Sequence, residues 1–282
     1  MKFNRGYKCI ISNPSTLRSI TISDLTCNFD IKKGIGAGLN NATLKFYNLS
    51  AYTRDSVAKD RFDQTTKIDV NFQVGHNDNL STCFSGSILE ASSRREGTDY
   101  VTEIQCRDGG ALVDTTYISE SLQQITEIEV ARLLIKKLGL NVGFFNVEDI
   151  KYESLILDGK IFQILKDRYG NNFHIEDGVG SVIKENDVKG STFIRKIDSG
   201  SGLLGTPRKR GNKLFIKVLL EPQITINELV TVISNVESRF NGTFKAIAIH
   251  HVGIVSPVKG GTAITELELL INNGQFNAVN II

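Results

Sequence analysis

Four histidines and four cysteines are the side chains best suited to hold a metal in this 282-residue sequence, and their spacing works against it. His250 and His251 are adjacent, and neighbours on a strand point to opposite faces, so they do not easily share one ion. His76 and His174 stand alone, one beside a Gly/Asn-rich turn and the other inside an expected strand. A zinc centre wants three or four convergent ligands at short spacings. Cys9, Cys27, Cys83 and Cys106 form no CxxC pair and sit among apolar or β-prone neighbours, which reads as buried free thiols.

Other chemistry is equally thin. Gly34-Ile35-Gly36-Ala37-Gly38 has the look of a phosphate loop. It lacks the Lys-Ser/Thr ending and leads into a strand, where a dinucleotide fingerprint needs a helix N-terminus. There is no G-x-S-x-G motif, and no serine has a His–acid partner nearby in sequence. Acidic residues are scattered on alternating or solvated faces. The expectation is a chain with no catalytic residues, no metal and no cofactor.

One cluster does stand out: Pro207-Arg208-Lys209-Arg210-Gly211-Asn212-Lys213, four cations without an acid. Its plain reading is a solvated turn before the next strand. Its sharper reading is a basic loop, Arg208, Lys209, Arg210 and Lys213, facing nucleic acid or an acidic partner. No aromatic is interleaved, so base stacking is not expected. Just upstream, Gly202, Gly205 and Pro207 punctuate the apolar pair Leu203-Leu204. Leu203, Leu204 and Pro207 are expected to form a plug against the insert or a neighbouring subunit.

The elements that must position these residues are mostly strands. Lys67 to Val74 alternates, with Ile68, Val70, Phe72 and Val74 on one face, and Ala42–Phe46 repeats the pattern. A hairpin is expected at Arg94–Asp99 around Gly97, and a short helix somewhere in Ser50–Arg61. Residues 113–190 change character. Thr126-Glu127-Ile128-Glu129 is a capping box, followed by the stripe Val130, Ala131, Leu134 and Leu138 and by Gly139 as stop. A second helix is expected with Asp158 as cap, Ile161, Phe162, Leu165 and Tyr169 as stripe and Gly170 as stop. Strands are expected after each helix, at 141–145 and 172–176. Beyond residue 191, Lys213–Leu220 and Thr265–Leu269 alternate again, and Asn241-Gly242 signals a hairpin.

The expected architecture is therefore mainly β: a first tube-like β-barrel over residues 1–112, a small α+β insert over 113–190, and a second barrel over 191–282. No residue-level repeat relates the two β regions, so a duplication rests on layout alone. Net charge is only +2, too balanced for a dedicated nucleic-acid binder. No apolar run is long enough to span a bilayer, and Met1–Asn13 lacks a signal-peptide core.

Two stretches resemble the baseplate hub proteins of contractile-tailed bacteriophages, the small relatives of the T4-type hub. The first is Asn41–Ser50 with Thr53-Arg54, then Phe84-Ser85-Gly86-Ser87-Ile88 and Ser93–Tyr100. The second is Ser201–Pro207, leading into Ile216–Ile224 and Asn241–Phe244. The pattern departs after His250-His251-Val252-Gly253, where similar proteins often carry an acid and a tryptophan, and this chain has no tryptophan. The resemblance implies a virion component assembled in the bacterial cytoplasm. It implies a homotrimer whose six barrels mimic one ring of the tail tube. A spike protein would bind one side and a tail-tube or tube-initiator protein the other, with tape-measure protein and DNA passing through the lumen. The alternatives are a distal tail or tube-initiator protein and, from another class, a tail-associated cell-wall hydrolase.

Overall fold

The computed structural model describes the whole chain except residues 1–3, 37, 64, 78, 111, 191–192, 258–260, 273–275 and 280–282. Ala37 of the glycine-rich stretch lies outside the described residues, as do 258–260 in the region where the family pattern breaks. The first strands are β1 (Arg5–Asn13), β2 (Arg18–Ile22), β3 (Cys27–Gly34) and β4 (Asn41–Tyr47). A short helix α1 (Ala51–Val57) then precedes β5 (Asp69–His76), the long β6 (Asn79–Glu96) and β7 (Asp99–Arg107). The middle of the chain holds α2 (Leu112–Thr115), β8 (Tyr117–Thr126), α3 (Glu127–Lys137), β9 (Asn141–Phe145) and β10 (Lys151–Lys160). It continues with α4 (Ile161–Tyr169), β11 (Phe173–Glu176), β12 (Val179–Val182) and β13 (Asp187–Lys189). The last part comprises β14 (Arg195–Asp198), β15 (Leu203–Arg210), β16 (Lys213–Leu219), β17 (Leu229–Ile233), β18 (Gly242–Val255), β19 (Ala263–Leu270) and β20 (Asn277–Val279). Twenty strands against four helices make the chain mainly β among the described residues.

Alternation builds the strands. On β4 and β5, Ala42, Leu44 and Phe46, then Val70, Phe72 and Val74, are buried while their neighbours face outward. Each buried set packs locally. One cluster gathers Phe29, Phe46, Phe72 and Phe84 with all four free, buried cysteines. A second, around Val130, Leu134, Leu165 and Phe173, belongs to residues 113–182. A third gathers Leu214, Ile216, Val230, Val232 and Leu269.

Where two separate β regions were expected, a single 13-stranded sheet runs through both, in the order β15-β16-β19-β18-β3-β4-β7-β6-β5-β1-β2. The join is β18 with β3, antiparallel from Ala248↔Gly34 to Val255↔Cys27. It is possible because β18 has 14 residues: Gly242–Lys245 pair with β17, and the half after a bulge pairs with β3.

The same winding occurs twice. In chain order β3, β4, β5, β6, β7 and β15, β16, β17, β18, β19 correspond one to one. Each set lies in the sheet as first, second, fifth and fourth strand, with its third strand paired to the other edge of the fourth. Even the bulges correspond, between Ile88 and Glu90 on β6 and between Ala246 and Ala248 on β18. The copies differ in their extra strand: β1 runs antiparallel to β5, whereas β14 runs parallel to β17.

Two local expectations are corrected. Asp158 does not cap α4. The chain stays paired as β10 up to Lys160↔Tyr117, so Lys160 is the cap residue and Asp158 instead accepts from the Tyr117 hydroxyl at 2.8 Å. Asn241-Gly242 is not a two-residue hairpin. Asn241 is extended (φ −74°) because its side-chain oxygen accepts the Ser234 amide at 2.6 Å, closing a longer connection that includes a 3₁₀ turn at Ser238–Phe240. The Gly97 hairpin and the helix capped by Ser50 form as expected, with Gly97 at φ 62°.

The α3 capping box is complete, with the Glu129 amide donating to Thr126 Oγ1 and the Thr126 amide to Glu129 Oε2 at 2.8 Å. Thr126→Ala should lower stability by about 1 kcal/mol, read as a shift of the urea midpoint at unchanged slope.

Candidate assembly interface

The middle segment reaches the sheet through the turn between β11 and β12. Asp177 and Gly178 both take positive φ, 53° and 80°, which is the geometry of a tight two-residue hairpin. The tip enters the seam between the two β windings. Lys33, on the core face of β3 after Phe29 and Ile31, is 5% exposed and donates to Asp177 Oδ2 at 2.6 Å, with Glu176 Oε1 at 3.7 Å. Lys189 Nζ donates to Glu176 Oε2 at 2.7 Å, and the Ile226 amide donates to Glu176 Oε1 at 3.1 Å. Asp177 Oδ1 accepts the Ser85 amide at 2.8 Å. Behind the turn, Asp108 accepts the amides of Asp177 at 2.6 Å and Gly178 at 3.0 Å, and Asn40 donates to the Ile175 carbonyl at 2.8 Å. One hairpin tip thus bonds to both windings.

Burial sets the charges here. It would lower Lys33, but Glu176 and Asp177 outweigh it and hold the ammonium well above its usual range. It would raise Glu176, but Lys189 and Lys33 prevail and bring it to about 2. Asp108 is pushed up to about 6 by burial and by Asp177. His174, beside Asn227, is brought down to about 4 by burial and Lys189. His251, against Thr265 Oγ1 at 2.9 Å, is brought down to about 3 by burial and Lys33. These two histidines are buried neutral groups of the seam, far from any shared ligand set. Among the described residues no group of three or more His, Cys, Asp or Glu is placed to hold a metal ion.

Held this way, the eight strands from β15 to β6 present one outward face. It is laced by cross-strand charge pairs: Lys217–Glu266 at 3.1 Å, Lys213–Glu268, Lys45–Glu103 at 3.0 Å and Arg94–Glu103 at 3.6 Å. At the join, His250 stands between Glu266 (3.3 Å) and Asp30 (3.1 Å), one from each winding. The face is therefore polar and charge-balanced.

The basic cluster and the apolar pair lie at one end of this face. Arg208, Lys209 and Arg210 occupy strand β15, not a turn, because they pair with Phe215, Leu214 and Lys213 of β16 and the turn itself is Gly211-Asn212. All three are exposed, and among the described residues none forms an ion pair, whereas Lys213 is tied to Glu268. Alternation splits the leucines. Leu203 enters the core with Leu214 and Val218, while half-buried Leu204 faces a groove of about 500 Å³ shared with Phe215, Lys217 and Glu266. Pro207 is buried inside a bulge between Leu204 and Arg208. Sequence reasoning missed Lys33, Asp108, Glu176 and Asp177. Asp177-Gly178 between apolar runs was a usable hairpin signal, and Lys33 at an inward position of an alternating strand was a usable anomaly.

No curated protein sequence matches this chain significantly, but solved structures do. The 43 kDa tail protein of prophage MuSo2 from Shewanella oneidensis is similar over 94% of this chain and 96% of its own, at 10% identity and TM-score 0.63. The tail protein from Neisseria meningitidis MC58 is similar over 95% and 97%, at 12% identity and TM-score 0.62. The c3393 protein of E. coli, a type VI secretion component described as structurally similar to T4 tail proteins gp27 and gp5, matches over 92% and 76%, at 10% identity and TM-score 0.58. The fold is that of phage-tail structural proteins. More narrowly, the model of the baseplate hub gp41 family matches residues 10–252, and the chain belongs to that family, a structural component of the phage tail baseplate.

The seam generates two predictions. Lys33→Met leaves buried Glu176 and Asp177 short of a counter-charge and should cost roughly 3–5 kcal/mol by urea denaturation. The second concerns pH. His174 and His251 sit below their ordinary 6.5 in the fold, so their contribution is intact above pH 6.5 and is lost as pH falls toward about 4 and about 3. Glu176, lowered from 4.5 to about 2, acts in the same sense at lower pH. Asp108, raised from 3.8 to about 6, opposes them: its contribution is present below 3.8 and is lost as pH rises through about 6. Stability should fall from pH 7 to pH 4, and His174→Asn should flatten that slope, both read from urea midpoints.

Proposed function

We propose that the chain is a non-enzymatic ring subunit of the baseplate hub, three copies of which enclose a channel. The observation that carries this is the doubled winding. Each chain offers two like-wound four-stranded sheets in tandem, β15-β16-β19-β18 and β3-β4-β7-β6, already joined side by side. Among the described residues β15 pairs with β16 alone, and β6 beyond Ala91 pairs with β7 alone, so both ends of the eight-strand run have edges that need covering. A head-to-tail contact that closes gives a ring, and eight antiparallel strands per copy keep the alternation intact across each new joint.

Strand geometry supports three copies. Twenty-four strands spaced about 4.8 Å apart and tilted by about 40° have a circumference of about 150 Å, hence a backbone diameter of about 48 Å. That leaves room for a DNA duplex after side chains take their share. Two copies would give about two-thirds of that width and leave little. In this reading residues 1–112 and 191–282 are tube-like barrel units, residues 113–190 are the insert between them, and the charge-paired face lines the lumen. Balanced charge suits a passage that tape-measure protein and DNA must traverse without sticking. A spike protein would attach on one side and a tail-tube or tube-initiator protein on the other, with assembly in the host cytoplasm.

Native mass measurement of the purified chain, alone and with its spike, should give a trimer. A monomer in both conditions would overturn the ring. Peptidoglycan zymography should show no clearing, and lysis by the pure chain would restore the hydrolase reading. Leu204→Asp should leave the monomer folded while reducing assembly. Replacing Arg208, Lys209 and Arg210 with glutamine should do the same, scored by circular dichroism and particle yield.

A further inference from the structure

We infer, on the ring reading above, that the joint between copies is a main-chain pairing whose register is already written in the join within each copy: β15 of one copy pairs antiparallel with residues Ser92–Glu96 of β6 in the next. The correspondence of the two windings leads there step by step. Ala246↔Leu269 and Ala248↔Glu268 on β18 match Ile88↔Cys106 and Glu90↔Gln105 on β6, so His250 corresponds to Ser92 and Ile254 to Glu96. Leu269 pairs with Leu214 as Cys106 pairs with Ala42, which aligns β16 with β4. Through those strands Leu203 corresponds to Cys27, Leu204 to Asn28, Arg208 to Asp30, Lys209 to Ile31 and Arg210 to Lys32.

Within the chain, His250 pairs with Lys32, His251 with Ile31, Val252 with Asp30 and Ile254 with Asn28. Carried to the joint between copies, this sets Ser92 opposite Arg210, Ser93 opposite Lys209, Arg94 opposite Arg208 and Glu96 opposite Leu204. The free edges agree in extent. The half of β6 before its bulge is occupied by β5, as the same half of β18 is occupied by β17, and past the Lys59↔Ala91 bridge the rest of β6 is the part left open, from Ser92 onward. Side chains agree too. Ser92, Ser93 and Lys209 are exposed and unobstructive, and Glu90 lies one diagonal step from Arg210, which has no acid of its own. Arg94 faces Arg208 with its charge already met by Glu96 at 2.7 Å and by Glu103. Of the bare cations of β15, Arg210 thus gains an acid at the joint, Glu90 of the next copy's β6.

The test is disulfide trapping, since directly opposed strand residues come within bridging distance and a one-residue slip sends side chains to opposite faces. The native cysteines are all buried and do not compete. Two matched pairs, Ser92→Cys with Arg210→Cys and Ser93→Cys with Lys209→Cys, are compared with the slipped pair Ser93→Cys with Arg210→Cys, in the purified chain and in assembled tails. Both matched pairs should link most of the protein into covalent trimers under mild oxidation, and the slipped pair should link several-fold less. Charge exchange provides an independent reading: Arg210→Glu should weaken trimers, and adding Glu90→Arg should restore them. A trimer mass without matched-pair linkage, or with the slipped pair linking best, overturns this joint and leaves the ring standing. A chain that stays monomeric in solution and in tails overturns both.

Discussion

Backbone hydrogen bonding at sheet edges is the constraint on which this structure rests. A strand edge is a row of unmet donors and acceptors, and a chain with two β windings has four such edges to manage. Two are met internally, because the second half of β18 lies along β3 from Ala248↔Gly34 to Val255↔Cys27. That join turns two windings into one sheet and places Lys217, Glu266, His250, Asp30 and Lys45 on a common face. The face is charge-paired across strands, and so its net field is small.

The seam beneath that join is reinforced by charge. Burying Lys33, Glu176, Asp177 and Lys189 carries a desolvation cost that hydrophobic residues would not. Directionality is what the ions contribute in return. A greasy seam tolerates sliding and rotation, whereas a hairpin tip bonded to Lys33 and Ser85 of one winding and to Ile226 of the other, through fixed oxygens, tolerates very little. In the proposed ring the angle between the two windings would have to be held, since any error would be repeated at every copy. The middle segment ties the two windings to each other, and its separate core around Leu134, Leu165 and Phe173 lets the hairpin project without being part of either winding.

Much of the fold was legible in single residues. Val70, Phe72 and Val74 announced a strand by period two, and Thr126 with Glu129 announced a helix start by reciprocal capping. Less legible was the ribbon of β8 and β10, because Ser119, Ser121, Gln123 and Ser154 give no apolar alternation on its solvent side. Asn241-Gly242 misled because its dipeptide fits a tight turn, and the Ser234 amide, distant from that dipeptide, claimed the Asn241 side chain first. The basic cluster was visible as charge, but its place on an edge strand followed from a register with Phe215 and Lys213 that no local pattern encodes.

Taken alone, the amino-acid order determined the strand-rich composition, the cores each strand could build, the helical insert and the family likeness. Those depend on side-chain period and local capping, which act within a few residues. Tertiary structure decided that the two windings share one sheet, that Lys33 meets Asp177, and that β15 and the last residues of β6 each pair on one side alone among the described residues. Contacts between residues more than a hundred positions apart set these features, through backbone pairing that is nearly blind to residue type, and so they are written in the fold and not in the local sequence.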